Sequence, residues 1–180
     1  MRYVTLSSAL VVAGFVLGIE SAIQGLDGWG LKPVAEAAGW QEWRLNQNDK
    51  MQVYAVGHFL GQGQLPPAKS SRFFTRNRDD DGNLLRSGCT YSLNSPPIFA
   101  RWWSINVGSH DGGVEQSEIS AGQALMGNDG AFKIAISRGP TPGNWLMPPD
   151  SNEIIVNLSL NEPDVGKRVI LPLIAKVGCS

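Results

Sequence analysis

Short apolar runs separated by turn-forming residues are the feature that most constrains the fold of this chain. Residues 154–160 alternate apolar and polar side chains, which is the period of a strand with one buried face. The 21 glycines and 11 prolines cluster between such runs, where they favour turns. The pattern predicts a mainly β fold, an antiparallel β-sandwich of jelly-roll type, preceded by one short helix and an N-terminal transmembrane helix. The predicted strands cover residues 72–76, 89–93, 99–107, 131–137, 154–160 and 169–174.

Turn and cap signals connect these runs. The Asp81-Gly82 dipeptide lies between two predicted strands and predicts that they form a hairpin. Asn48 is a favourable N-cap, and the apolar spacing after it predicts a helix over 49–60. The run from 34 to 38 predicts a short helical turn. Pro172 has no backbone N–H, so the last predicted strand can only be an edge strand.

The composition excludes several classes of partner. The net charge is −1 and no basic residues cluster, whereas a nucleic-acid-binding surface needs concentrated positive charge. Two cysteines are too few for a zinc site, which uses about four ligands. We therefore expect no nucleic-acid partner, no metal and no cofactor. A length of 180 residues suits one globular domain with its own core.

The first 23 residues have the features of a membrane segment. Arg2 is followed by 17 uncharged residues, which end at Glu20. As a helix they span about 26 Å, close to the roughly 30 Å hydrocarbon core of a bilayer. We favour an uncleaved anchor over 1–23; a cleaved signal with a poor processing site and a buried core helix are the alternatives. A lead-in segment over 24–47 and a β-sandwich domain over 48–180 follow.

Export would place Cys89 and Cys179 in an oxidising compartment, where they could form a disulfide. In an oxidising compartment, two cysteines of one chain tend to join. Closing so long a loop stabilises the fold by about 4 kcal/mol in the chain-entropy model. The position of Cys179 near the end of the sequence argues against a structural bond, because chain ends are mobile. The residues alone leave the disulfide open.

An ordered set of motifs resembles the DUF1214 family, in particular its small bacterial members with a single N-terminal membrane segment. The most specific are Arg101-Trp102-Trp103-Ser104 and Gly143-Asn144-Trp145-Leu146. The others are Asn48-Asp49, residues 63–66, Phe74-Thr75, residues 79–82, Cys89-Thr90-Tyr91, Asp111-Gly112 and Asp129-Gly130. The resemblance covers about residues 40–162 and departs at 108–112, where the usual Tyr-Asp-x-Asp-Gly is absent.

The resemblance implies an extracytoplasmic β-sandwich of jelly-roll type. The family is a domain of unknown function, so it supplies no catalytic residues. Together with Arg2 before the apolar segment and acidic residues after it, the resemblance predicts a single-pass protein of the bacterial inner membrane. Its N-terminus would be cytoplasmic and its domain periplasmic.

The Arg-Trp-Trp strand carries the main site hypothesis. With a period of two, Arg101 and Trp103 share a face with apolar residues, and Trp102 faces the other side. A buried Arg must stack on an aromatic ring or meet a carboxylate, which would fix the sandwich. The alternative is a cleft in which Arg101, Trp102 or Trp103, and Trp145 bind a polar small molecule or a carbohydrate.

Other polar residues give weaker signals. His110 and Asp111 lie in a glycine-rich turn, where an acid/base pair, or part of a metal site joined by His58, competes with an ordinary exposed turn. His58 lies on the apolar face of the predicted helix, which favours a hydrogen-bonded core histidine. Residues 77–82 match the opening half of a calcium loop, but its twelfth position is Gly88 instead of Glu, so a hairpin is favoured.

These observations predict a membrane-anchored periplasmic domain of unknown activity. A binding module or a support for envelope assembly is favoured, with an envelope protein or a small ligand as the partner. The alternative is an uncharacterised enzyme that acts on envelope carbohydrate or lipid, with Arg101, His110 and Asp111 as its polar groups. The sequence lacks known nucleophile and metalloprotease motifs, so the enzyme question stays open.

Overall fold

The computed structural model describes residues 2–26, 35–43, 70–110, 117–164 and 166–179. Within these residues the chain forms one helix, α1 (Arg2–Leu26), and ten strands. The strands are β1 (Ala35–Ala37), β2 (Trp40–Trp43), β3 (Ser71–Arg76), β4 (Cys89–Ser95), β5 (Ala100–Ser109), β6 (Ser117–Ser120), β7 (Phe132–Ile136), β8 (Asn144–Leu146), β9 (Ile154–Pro163) and β10 (Leu173–Cys179).

The described strands form two sheets. The larger sheet has the order β1-β2-β3-β9-β5-β6, and the smaller sheet has the order β10-β4-β7-β8. Neighbouring strands are antiparallel, except that β7 and β8 run parallel. The prediction of a mainly β protein is confirmed, and the jelly-roll connectivity stays a prediction.

Side chains from both sheets form one hydrophobic core. Trp103 of β5 stacks on Phe132 of β7, with ring centroids 4.6 Å apart and planes 4° from parallel. The inner face of β9 is buried as its alternation predicted, with exposures of 0–1% at Ile154, Val156, Leu158 and Leu160. Burying such a side chain stabilises the fold by about 1.5–3 kcal/mol. The two sheets therefore pack against each other as a sandwich.

The β1–β2 hairpin replaces the helical turn predicted over 34–38, because residues 35–37 form β1. The strands are joined by Ala38 and Gly39, with φ angles of 52° and 76°. Two successive positive φ angles suit the twist of a two-residue hairpin. Ala is uncommon there, so no Asn-Gly or Asp-Gly signal marks this turn. A Cβ on Gly39 would also lie 3.1 Å from Nε of Arg76.

The prediction that Asp81-Gly82 joins two paired strands in a hairpin is wrong. β3 pairs with β2 and β9, whereas β4 pairs with β10 and β7. The turn instead closes a smaller loop, whose ends meet in a bridge between Arg78 and Leu84. Oδ1 of Asp79 accepts hydrogen bonds from the backbone N of Asp81 (3.1 Å) and Asn83 (2.8 Å). The loop is thus closed locally, and the chain then crosses to the other sheet.

Besides β1 and β2, which were not predicted as strands, three strands differ from the sequence expectation. β6 was not predicted, and β8 lies inside the segment 139–149 that was interpreted as a loop. The last strand begins at Leu173 rather than at residue 169. β10 nevertheless lies at an edge of its sheet, as Pro172 required.

Cys89 and Cys179 form a disulfide. The two residues face each other in the antiparallel ladder between β4 and β10. β10 extends to Cys179, so this residue is held by the ladder rather than left at a mobile end. The bond therefore ties an edge strand to its neighbour.

α1 contains most of the segment predicted as a membrane anchor. Its described side chains, residues 10–22, are exposed. The large apolar ones are Leu10, Val11, Val12, Phe15, Val16, Leu17 and Ile19. No helix among the described residues reaches both the length and the hydropathy expected of a membrane crossing. The helix predicted over 49–60, with His58, and the residue Asp111 lie outside the described part of the chain.

Candidate functional site

Arg101 lies on the surface and is not buried as one interpretation of the sequence required. Its Nη1 donates to Oε2 of Glu162 at 3.0 Å, and the two side chains are 75% and 50% exposed. An exposed ion pair of this kind contributes about 0–1 kcal/mol to stability. Arg101 therefore neither fixes the sandwich through a buried salt bridge nor lines an enclosed cleft.

The two neighbouring tryptophans of β5 have opposite environments. Trp103 is 3% exposed and belongs to the core, where its ring stacks on Phe132. Trp102 is 42% exposed and faces away from the core, because successive side chains of a strand point to opposite faces. Trp103 thus supports the fold, and Trp102 is a surface residue of the larger sheet.

Trp145 belongs to the other sheet. In β8 it lies between Asn144 and the fully buried Leu146, so its side chain points to the outer face of the smaller sheet. Its Nε1 donates to the backbone O of Ser137 at 2.9 Å. Trp102 and Trp145 therefore lie on outer faces of different sheets, and the described residues do not form the predicted Arg101–tryptophan cleft.

His110 lies in the exposed turn that follows β5. Its backbone N donates to the O of Glu153 at 3.1 Å. Among the residues that the structure describes, no three His, Cys, Asp or Glu side chains are placed to hold a metal. In the loop that resembled a calcium site, the oxygens of Asp79 accept from groups of that same turn. The local turn thus accounts for Asp79, while Oδ1 of Asp80 accepts hydrogen bonds from Nη2 of Arg76 (2.8 Å) and the N of Ile174 (3.1 Å).

An open groove of about 960 Å³ lies at one end of the smaller sheet. It is bounded by the β1–β2 turn, the end of β4, the start of β7 and the chain that leads into β10. Its twelve lining residues are Ala37, Ala38, Asn94, Ser95, Pro96, Ala131, Phe132, Arg168, Val169, Ile170, Leu171 and Leu173. Nine of the twelve are apolar, so the groove suits an apolar ligand.

The wall of the groove is held by a buried hydrogen bond. Nε1 of Trp40 donates to the backbone O of Pro172 at 2.7 Å. Val169 and Leu171 pack against the core, while Ile170 between them is 56% exposed. The segment before β10 is therefore fixed in place although it is not part of a sheet.

A smaller pocket of about 100 Å³ adjoins the groove and shares Ala37, Val169 and Leu171 with it. Its polar groups are paired. Arg72 donates through Nε to Oε1 of Glu42 at 2.8 Å and through Nη2 to Oε2 at 3.0 Å. The Glu42 side chain is 4% exposed, and such a buried carboxylate needs a partner of this kind.

The opposite end of the smaller sheet is closed by polar contacts. Arg138 donates through Nη2 to Oγ of Ser87 (3.1 Å) and to Oδ1 of Asp150 (2.8 Å). The hydroxyl of Ser87 also donates to the backbone O of Ser151. The disulfide lies at this end as well, because Cys89 begins β4 and Cys179 ends β10.

A family model now accounts for most of this architecture. The model for DUF1214, a protein family of unknown function, matches residues 70–165, which is more than half of the chain. The chain belongs to the DUF1214 family. No protein of curated function matches this DUF1214 chain.

Two solved structures are similar to this DUF1214 chain. The VPA0106 protein from Vibrio parahaemolyticus is 19% identical, with a TM-score of 0.52 over 72% of this chain and 36% of the other. An uncharacterized protein from Burkholderia cenocepacia is 16% identical, with a TM-score of 0.45 over 59% of this chain and 29% of the other. The chain thus spans about a third of the length of these proteins. At such identity the first likeness shows the fold alone.

Most of the groove lies outside the span that matches the DUF1214 model. The matched residues 70–165 supply Asn94, Ser95, Pro96, Ala131 and Phe132. The remaining seven lining residues come from the β1–β2 turn and from residues 168–173. Sequence reasoning missed the groove because residues 169–171 resemble a strand, and their role depends on where β10 begins. Pro172 was the available signal, since it prevents a regular ladder there.

Proposed function

We propose that this protein is an exported, membrane-attached module that binds an apolar ligand in the groove. The groove carries the proposal. Its volume of about 960 Å³ lies at the upper end of the range for small-molecule sites, which are lined mainly by apolar side chains. This lining favours an apolar ligand over the carbohydrate expected from Trp102 and Trp145.

The energetics of the groove suit a hydrocarbon chain. Each buried methylene gains about 0.8 kcal/mol, so about ten methylenes gain roughly 8 kcal/mol before the cost of association. The wall is fixed by the bond between Trp40 and Pro172, so little ordering of the protein is needed on binding. A preformed apolar groove is thus suited to an acyl or similar chain.

Two observations support export and membrane attachment. A disulfide joins Cys89 and Cys179, and disulfides persist in oxidising compartments outside the cytosol. The apolar side chains of α1 from Leu10 to Ile19 are 47–71% exposed, so a helix with an uncharged stretch of 17 residues lacks cover within its described part. A bilayer would cover these side chains, with the N-terminus in the cytoplasm and the sandwich in the periplasm.

The groove is tested by photo-crosslinking of the full chain in nanodiscs of zwitterionic lipid. The probe is a long-chain alcohol with a diazirine in its chain, and peptide mass spectrometry locates the label. We expect label on Phe132 and on residues 169–173. Ala131→Phe should remove this label by filling the groove, whereas Ala175→Phe, on the exposed surface of β10, should not. Equal labelling of both variants, or no label in the groove, would refute ligand binding there.

Attachment is tested separately with a C-terminal alkaline phosphatase fusion, which is active only in an oxidising compartment. We expect activity in the membrane fraction after carbonate washing. The matched control lacks residues 1–26 and should be inactive. An inactive fusion, or release of the active fusion by carbonate, would contradict the attachment.

A further inference from the structure

We infer that the ligand of the groove is an amphiphile, an acyl chain with an anionic head group, and that Arg168 binds this head group. The inference rests on the proposed function, because it names the chemistry of a ligand in the same groove. Three features support it. They are the positive charge of Arg168, the polar lining groups that already have hydrogen-bond partners, and the absence of net charge in the small pocket beside the groove.

Arg168 is the charged residue among the twelve lining residues. It is exposed, and it forms no ion pair with any described residue. The neighbouring Lys167 differs, because its Nζ lies 3.4 Å from Oδ2 of Asp164 and 3.8 Å from the ring centroid of Phe99. The guanidinium of Arg168 is therefore the cation left to meet an anion at the groove.

The other polar lining groups already have partners. The hydroxyl of Ser95 donates to the O of Pro96 at 2.9 Å. The amide of Asn94 donates to the O of Ser92 at 3.4 Å, and its Oδ1 accepts from the Ser92 hydroxyl at 3.3 Å. An anion at the rim would therefore find its donors on Arg168, which can present two parallel N–H groups to a carboxylate or a phosphate.

The small pocket that adjoins the groove offers no net charge. The adjoining small pocket contains Glu42 and Arg72, whose charges offset each other through two hydrogen bonds. The lining that follows Arg168 in the chain is apolar, formed by Val169, Ile170 and Leu171, and Val169 and Leu171 also line that pocket. A ligand that matches this order has a charge at one end and hydrocarbon along the rest.

The same chemistry has two sources, a free fatty acid and an anionic phospholipid. We assign the free fatty acid, because one guanidinium matches a carboxylate, whereas the larger phospholipid head group would need further polar partners that Asn94 and Ser95, already hydrogen-bonded, do not offer. The full chain in zwitterionic nanodiscs is labelled with four diazirine probes of equal chain length. They are a fatty acid, the matching fatty alcohol, phosphatidylglycerol and phosphatidylcholine. Groove labelling is measured against probe concentration by peptide mass spectrometry.

We expect the fatty acid to half-saturate groove labelling at a concentration about fivefold lower than the alcohol, the effect of one exposed ionic contact. Arg168→Gln should remove this preference and leave alcohol labelling unchanged. Lys176→Gln, which removes the same charge from β10 outside the groove, should keep the preference. Added salt should weaken the preference in the wild type.

The remaining outcomes overturn the head-group inference, the assignment to a free acid or the proposed function. Equal labelling by acid and alcohol, or an equal preference in wild type and Arg168→Gln, overturns the head-group inference while the apolar groove stands. A preference for phosphatidylglycerol over the fatty acid overturns the assignment to a free acid. Absence of groove labelling by all four probes overturns the proposed function and this inference together.

Discussion

The two ends of the smaller sheet differ in how completely the chain closes them. At the end marked by Cys89 and Cys179, a disulfide and the contacts of Arg138 with Ser87 and Asp150 join neighbouring loops. At the other end, Phe132 and Leu173 border an open apolar groove. β4, β7 and β10 thus run from a bonded edge on one side to an open groove on the other.

The contrast separates what holds the fold from what is available for binding. The bonded end uses covalent and polar contacts between loops that lie far apart in the sequence. The groove end is held through Trp40, whose single hydrogen bond reaches Pro172 behind the wall. Changes at the first end should therefore alter stability without altering binding, and changes behind the groove should alter both.

The largest expected effect comes from removing the disulfide. Cys89→Ser with Cys179→Ser should lower the free energy of unfolding by about 4 kcal/mol, because the bond closes a loop with a sequence separation of 90. Urea denaturation of the full chain measures this change. Groove labelling of the folded protein should stay at the wild-type level. Loss of labelling together with unchanged stability would reverse the contrast between the ends.

Trp40→Phe should have a smaller effect on stability and a larger one on binding. It leaves the buried O of Pro172 without its donor, which costs about 1–3 kcal/mol. The freed segment 168–172 should then show reduced groove labelling and faster amide exchange. Trp43→Phe is a matched control, because its indole donates to Thr75 away from the groove. Equal losses in both variants would show that the indole bond to Pro172 has no special role.

A third prediction concerns the pH dependence of the bonded end. Burial raises the pKa of the Tyr91 hydroxyl above its usual value of 10.0, and this hydroxyl accepts a hydrogen bond from the N of Arg86. The unfolded chain therefore loses this proton at lower pH than the folded chain, so stability is full below pH 10 and falls as the pH rises above it. Tyr91→Phe should flatten this alkaline decline in thermal melts. An unchanged slope would show that Tyr91 does not control it.

The smallest effect is expected at Arg101. Arg101→Ala removes a surface ion pair with Glu162 and should change the free energy of unfolding by less than about 1 kcal/mol. Groove labelling should not change, because Arg101 does not line the groove. Arg72→Ala is the contrasting variant, since it leaves Glu42 buried without its guanidinium and should cost more. A severe loss of folding in Arg101→Ala would instead support a buried Arg101 that fixes the sandwich.

Local patterns in the sequence predicted the strands better than the site. The inward residues of β9 follow from a period of two, which neighbouring residues determine, although Ile155 and Asn157 on the other face are buried as well. The placement of Trp145 on the opposite sheet depends on a parallel pairing with β7, which no short segment encodes. The hairpin at Ala38 lacked the usual turn residues, and the groove needs this turn beside Leu171. Short sequence patterns therefore miss the groove, because most of its lining residues lie outside the recognisable motifs.

The position of β9 has a consequence for how the protein acquires its fold. This strand lies between β3 and β5, and its partners in β3 come from the first half of the chain. Until residues 154–163 have been synthesised, β3 and β5 lack the strand that pairs with both of them, so the larger sheet cannot form across its centre. Such long-range pairing slows folding. The nascent polypeptide should therefore remain unfolded, and accessible to translocation or to a chaperone, until β9 has been synthesised.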